Sequence, residues 1–194
     1  MASLFSNPLG EDFVLQRYPI VEKEKLQAFD AGDHLLLEQF KLKQEVSDNK
    51  DSTILIMGDS FGALSIALKD YKATTYIDSF VSYQGIRSNS KENLNLINNL
   101  EELSNLKNDI DCVLIKLPKN MSFFEDMLIH VSRVLKPGGL LLCSGMIKHM
   151  PASAFDLMNK FETYKSRTHL RVTRSNQKPK GRQKQFHCRL RKVD

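Results

Sequence analysis

Apolar residues fall in three different rhythms along this chain, and their order predicts its architecture. From Glu22 to Gln44 the apolar positions Leu26, Phe29, Leu36, Leu37 and Phe40 approximate helical spacing, which predicts an N-terminal helical layer. The rhythm then breaks at Asp51-Ser52. Thr53-Ile-Leu-Ile-Met57, Ala73-Thr-Thr-Tyr-Ile77, Asp111-Cys-Val-Leu-Ile115 and Leu140-Leu-Leu-Cys143 are short, dense apolar runs. Runs of that length suit strands covered on both faces. Helical stretches separate them, at Ala63 to Leu68, about Ser82 to Asn98 and about Ser122 to Leu135, with a shorter one from about Ala152 to Phe161. Ser122 with Glu125 three residues on is a capping-box pattern that marks a helix start, and Pro137-Gly138-Gly139 reads as a tight turn into the next strand.

Strands alternating with helices of this length predict βαβ units and a mainly parallel sheet with helices on both faces. Near the end the period changes to two. Thr168 to Thr173 and Gln185 to Arg191 both alternate, and Asn176 to Gly181 between them supplies turn residues, so a terminal antiparallel hairpin with one basic face is expected. An antiparallel pair closing a parallel sheet separates the methyltransferase version of this architecture from the dehydrogenase version. The expected fold class is therefore α/β: a Rossmann-like S-adenosylmethionine-dependent methyltransferase fold. It carries a mainly parallel seven-stranded sheet, a C-terminal antiparallel hairpin and an N-terminal helical layer. Residues 1–50 are read as a helical extension packed on the core, and residues 51–194 as the α/β domain, a single domain overall.

Composition adds one asymmetry to this picture. The 194 residues, 41% hydrophobic and 26% charged, describe one folded domain rather than a disordered chain. The net charge of +5 is unevenly spread. Residues 165–194 hold eleven Lys or Arg against one acid, leaving 17 against 22 in residues 1–164. A segment of +10 on a body of −5 is the footprint of a polyanion-binding surface, with a solubilising tail as the alternative. Cys112, Cys143 and Cys188 are odd in number, widely spaced and set in strand-like runs, so they read as buried hydrophobes, with no disulfide and no zinc. The five histidines lack metal-ligand spacing. No apolar run approaches membrane-spanning length and the opening segment lacks a signal-peptide pattern, which predicts a cytoplasmic protein.

Two loops carry the candidate chemistry. Gly58-Asp59-Ser60-Phe61-Gly62 follows the first strand of the parallel sheet, where glycine lets backbone approach a cofactor. Asp78 ends the second strand, twenty residues after Gly58, where a carboxylate can accept hydrogen bonds from ribose hydroxyls. Gly58, Asp59, Gly62 and Asp78 form the candidate cofactor-binding set. An adenosylmethionine turn usually has an acid two residues before its first glycine and a further glycine between the outer two; here those positions are Ile56 and Ser60. The set reads as vestigial, and a purely structural turn is the alternative. The second loop, Leu114-Ile-Lys-Leu-Pro-Lys-Asn120, stands where transfer to a base amine needs a polar-Pro-Pro-aromatic segment. Lys116 and Lys119 put donors in place of acceptors. They suit phosphate, or are simply solvated. No catalytic residue is identified.

Phe13-Val-Leu-Gln-Arg-Tyr-Pro19, Gly58-Asp-Ser-Phe-Gly-Ala-Leu64, Ile77-Asp-Ser79 and Val113-Leu-Ile-Lys-Leu-Pro-Lys119 together resemble the N-terminal domain of bacterial 23S ribosomal RNA guanine-N2 methyltransferases of the RlmG/RsmC type. The resemblance spans nearly the whole chain. It implies a degenerate methyltransferase-like domain, S-adenosylmethionine as the cofactor of the family but not of this chain, ribosomal RNA as a partner, and a catalytic C-terminal methyltransferase domain that this sequence lacks. The expected role is support of RNA binding by Lys116, Lys119, Lys165, Arg167, Arg171, Arg174, Lys178, Lys180, Arg182, Lys184, Arg189, Arg191 and Lys192. Two alternatives stand beside it, an active methyltransferase and a structural interaction module. A nicotinamide dehydrogenase fits less well, because the turn lacks GxGxxG.

Overall fold

The apolar run Thr53–Met57 forms the central strand of a parallel sheet, and its residues divide between two cores. In this computed structural model residues 2–43, 46, 48–106, 109–145, 151–164, 169–170 and 192–193 are described, the backbone alone from 161 onward. The elements run β1 (Ser3–Phe5), β2 (Phe13–Leu15), α1 (Ala31–Lys41), β3 (Thr53–Met57), α2 (Ala63–Ala67), β4 (Lys72–Tyr76), α3 (Phe80–Asn89), β5 (Asn95–Ile97), a 3-10 helix (Leu100–Leu106), β6 (Ile110–Lys116), α4 (Met121–Val134), β7 (Leu135–Ser144), α5 (Ala152–Tyr164), β8 (His169–Leu170) and β9 (Lys192–Val193). The main sheet has five strands in the order β5-β4-β3-β6-β7, and every pairing in it is parallel.

Side chains of a strand alternate between faces. Ile54, Ile56, Cys112, Leu114, Leu140 and Leu142 accordingly pack with Leu36, Leu37 and Phe40 of α1 and with Phe5 and Leu15 of the β1–β2 pair. Leu55, Met57, Val113, Ile115, Leu141 and Cys143 pack on the other face, against Phe124, Met127, Leu128 and Val131 of α4 and Met158 of α5. A sheet covered on both sides has no use for polar positions in its middle strands, which is why these runs are continuously apolar.

The sequence expectations meet this structure element by element. The strand Thr53–Met57 has the expected bounds. The N-terminal helix is shorter than the expected Glu22–Gln44: it spans Ala31–Lys41, because Asp30 caps it and Asp33 closes a capping box with the Asp30 backbone. Residues 22–30 of the expected helix are turns and bends, and the segment before them, read as part of a helical extension over residues 1–50, holds the antiparallel pair β1–β2. Its strands of three residues each are too short to show a period.

The helix expected over Ser82–Asn98 begins at Phe80 behind the Ser79 cap and ends at Asn89. Asn95–Ile97 is a strand beside β4, fixed by the Asn95 amide donating to Thr74 Oγ1 at 2.8 Å. The start of α4 is capped by Asn120, whose Oδ1 accepts from the Ser122 and Phe123 amides, not by the Ser122–Glu125 box. Beyond the five-stranded sheet, the described residues contain a separate antiparallel pair between His169–Leu170 and Lys192–Val193. The rest of the expected hairpin, including Asn176–Gly181 and Gln185–Arg191, lies outside the described residues, as does Cys188.

Candidate functional site

In the strand order β5-β4-β3-β6-β7 the chain reverses direction of growth between β3 and β6. The crevice at the carboxyl ends of those strands is where open α/β sheets take their ligands. The turn after β3, the end of β4 and the end of β6 meet there, together with the amino end of α1. That helix runs against the strands: its first turn lies at Lys116 and Ser144, while Val46 beyond its last turn meets Ser52 at the start of β3.

The turn after β3 is shaped by close packing. Gly58 has φ 85°, and a Cβ there would stand 2.7 Å from the Lys116 carbonyl oxygen on the neighbouring strand. Gly62 has φ 98° and precedes α2. Between them Asp59 is buried, and its carboxylate accepts from the amides of Gly62 at 2.9 Å, Leu64 at 3.2 Å and Ser65 at 2.8 Å and from the Ser65 hydroxyl at 2.7 Å. These are donors that a helix start leaves without intrahelical partners. Asp59 thus serves the start of α2 from a buried position. Phe61 is buried as well. The Arg17 guanidinium lies 5.0 Å from its ring centre, and Gly85 of α3 approaches so closely that a Cβ would stand 2.7 Å from its ring. Asn89 fastens this cover by donating to the Phe61 and Gln16 carbonyls at 2.9 and 2.8 Å and accepting from the Gln16 amide at 2.9 Å. Asp78, the other acid of the set, is exposed past the end of β4.

The two lysines of the loop after β6 part company. Lys119 is exposed. Lys116 turns inward, its ammonium 2.9 Å from Asp33 Oδ2 and 3.2 Å from Asp30 Oδ2. Burial alone would lower the pKa of this ammonium, but Asp33 and Asp30 outweigh it and hold the value above the ordinary range. Asp33 is pushed up to about 6: burial raises it most, Asp30 and Asp59 add to the rise, and Lys116 only partly offsets them. The Asp33 Oδ1 and Ser144 Oγ atoms are buried without a hydrogen-bond partner. Lys116, expected as a phosphate ligand, is therefore engaged inside the protein. Lys165, Arg167, Arg171, Arg174, Lys178, Lys180, Arg182, Lys184, Arg189 and Arg191 lie outside the described residues, and of Lys192 only the backbone is described.

Sequence reasoning missed Asp30, Asp33, Arg17, Asn89 and Ser144. Asp30 and Asp33, three residues apart just before an apolar helical stretch, carried a capping signal; nothing in the sequence alone pairs Asn89 with Gln16. A cavity of about 400 Å³ lined by Thr53, Lys72, Asn95 and Ile110 lies at the opposite, amino end of the sheet. Cys112 and Cys143 are buried free thiols, and burial pushes the Cys112 thiol far up. Among the described residues no group of His, Cys, Asp and Glu is arranged to hold a metal ion, and no helix is long and apolar enough to cross a membrane.

A five-stranded parallel sheet with this strand order and a glycine turn after its central strand is a doubly wound α/β core, and solved structures place it in the S-adenosylmethionine-dependent methyltransferase fold. The chain superposes on the T. thermophilus 16S rRNA N2 methyltransferase RsmC, in complex with AdoMet and guanosine, with a TM-score of 0.63 at 14% identity, covering 100% of this chain and 45% of that one. The precorrin-6y C5,15-methyltransferase of Geobacter metallireducens gives a TM-score of 0.61 at 17% identity, covering 90% and 95%. Within that class the chain belongs to the family described as the RLMG N-terminal domain, which matches residues 5–174. Two relatives named ribosomal RNA large subunit methyltransferase G are 32% identical over 161 residues, from Psychromonas ingrahamii, and 36% identical over 154 residues, from Pseudomonas syringae pv. tomato. They match 80% and 76% of this chain but only 42% and 40% of their own lengths. The chain thus spans about two fifths of the relatives it matches and corresponds to their N-terminal part.

Proposed function

We propose that this chain is a methyltransferase-like domain without cofactor chemistry of its own, which helps a catalytic methyltransferase domain of the same whole protein to hold ribosomal RNA in the cytoplasm. The observation that carries this reading is the ion cluster of Lys116, Asp33 and Asp30 at the carboxyl end of β6, one wall of the crevice where this fold takes its ligands. The residues present do not fit S-adenosylmethionine. Ile56 is fully buried where an acid would be needed, Asp59 is used up by the α2 amides, and Phe61 is packed beneath Arg17. No methyl-transfer step is therefore derived for this chain. The names of its relatives supply ribosomal RNA as the substrate. Residues 165–194, with eleven Lys or Arg against one acid, supply the counter-charge for phosphates, and Lys119 adds to it at the crevice.

The test is twofold. Isothermal titration of the chain with S-adenosylmethionine should give no heat, and binding of a ribosomal RNA fragment should weaken steeply as salt rises. One-to-one cofactor binding, or an RNA affinity indifferent to salt, would overturn the reading. Exposed Asp78 favours the second reading, an active methyltransferase that still grips ribose there; under it Asp78→Ala weakens a measurable cofactor affinity.

A further inference from the structure

The outer face of α3 carries an arrangement that neither folding nor the ion cluster explains. The helix buries Ser82, Gly85 and Ile86, which at 100° per residue occupy one side of its circumference. Phe80, Tyr83 and Arg87, spaced three and four residues apart, form a ridge on the opposite side. Phe80 is 71% exposed and Tyr83 38% exposed. The Arg87 guanidinium lies 5.6 Å from the centre of the Tyr83 ring, and its Nη1 also donates to Asn93 Oδ1 at 3.1 Å, which steadies the cation over the aromatic face. Helix α3 begins directly after Asp78 and Ser79, so the ridge rises from the carboxyl end of the sheet, the end that also carries exposed Lys119.

We infer that the Phe80–Tyr83–Arg87 ridge of α3 is a stacking platform for an unpaired base of single-stranded RNA. The inference rests on the RNA-supporting role proposed above and names a site within it. Phe80, most of it left in water, adds little to folding stability, whereas an exposed ring on the same ridge as a guanidinium is an arrangement on which bases stack. Arg87 supplies both a second planar surface and a positive charge for the adjoining phosphate. A protein partner fits less well: even with exposed Val81 beside Phe80, two rings and one aliphatic side chain next to exposed Ser88 and Arg87 fall well short of the apolar centre of a roughly 800 Å² protein contact. A duplex fits less well too, because its bases are already stacked on one another.

The probe is a single-stranded oligoribonucleotide carrying 2-aminopurine, titrated into the intact chain, with a duplex of the same length as reference. Stacking should quench the 2-aminopurine. Phe80→Ala/Tyr83→Ala should abolish the quenching and weaken single-strand binding by roughly tenfold or more, with duplex binding and salt dependence unchanged. Arg87→Gln should weaken it less and lower the salt dependence. Phe80→Ala should leave the melting temperature close to the unaltered chain's, since most of that ring faces solvent, and Tyr83→Ala should lower it modestly, since that ring is partly covered. Single-strand binding and quenching undiminished in the double variant would remove the platform while leaving the RNA role intact. An equal loss for single strand and duplex would also overturn it, as would binding without quenching. Failure of the unaltered chain to bind either RNA would remove the RNA role together with the platform.

Discussion

Lys116 is the residue at which a structural and an RNA-binding role make opposite predictions. Its ammonium stands 2.9 Å from Asp33, whose side chain is 1% exposed. Replacing it by Met keeps the aliphatic stem and removes the charge. Breaking a buried pair from one side costs about 3–5 kcal/mol, because the remaining charge is left without compensation. Asp33 has an escape, however. Its carboxyl already titrates at about 6 instead of the ordinary 3.8, and losing Lys116 raises it further, so the group can take up a proton. A carboxyl with a raised folded pKa binds its proton more tightly folded than unfolded. Its contribution to stability is therefore fully present below about 4, is lost as pH rises from 4 through about 6, and does not change further above that. Lys116→Met should cost about 3 kcal/mol at pH 8 and about 1 kcal/mol at pH 5, since each tenfold change in proton affinity is worth about 1.4 kcal/mol. The assay is urea unfolding of both proteins followed by circular dichroism at the two pH values. Lys116→Met with Asp33→Asn should recover most of the loss, because no buried charge then remains. A loss equal at both pH values would refute the coupling. An unchanged stability with reduced RNA affinity would return Lys116 to the phosphate contacts.

Asp59→Ala removes the acceptor of the Gly62, Leu64 and Ser65 amides and of the Ser65 hydroxyl. It should cost about 2–3 kcal/mol and lower the melting temperature by roughly 4–12 °C in a scanning fluorimetry melt; a change under one degree would mean that Asp59 does not cap the helix. Gly58→Ala sets a side chain at φ 85° against the Lys116 carbonyl oxygen. It should cost about 2 kcal/mol or more in urea unfolding, and a neutral result would show that the turn has room. Cys112 and Cys143, both buried, should stay unreactive to a thiol reagent until the chain is unfolded, and rapid labelling of either in the folded protein would contradict their placement.

The parallel sheet is legible in the sequence wherever burial is two-sided, and the helices wherever they are long. Thr53–Met57, the core of Asp111–Ile115 and the span near Ser122–Leu135 announce themselves because their apolar rhythm is repeated over enough residues. Asn95–Ile97 reads as helix in the sequence because three residues carry no rhythm, and their strand character comes from the ladder with β4. The turn glycines of the candidate site can be placed from order alone. What surrounds them cannot.

By itself the sequence determined the alternation of strands and helices, the glycine turn after the central strand, the missing acid at Ile56, and the basic C-terminal segment. All of these are properties of neighbours along the chain, and local periodicity and composition report them. Only the tertiary structure decided that Lys116 faces Asp33 across 83 positions, that Asp59 serves its own helix, and that Arg17 and Asn89 close over Phe61. Each of these depends on which way a side chain turns when distant segments meet at the end of a sheet. A lysine offered to phosphate and a lysine held by two carboxylates are the same letter in a sequence. What separates them is the low-dielectric, partner-rich place into which the fold carries the charge.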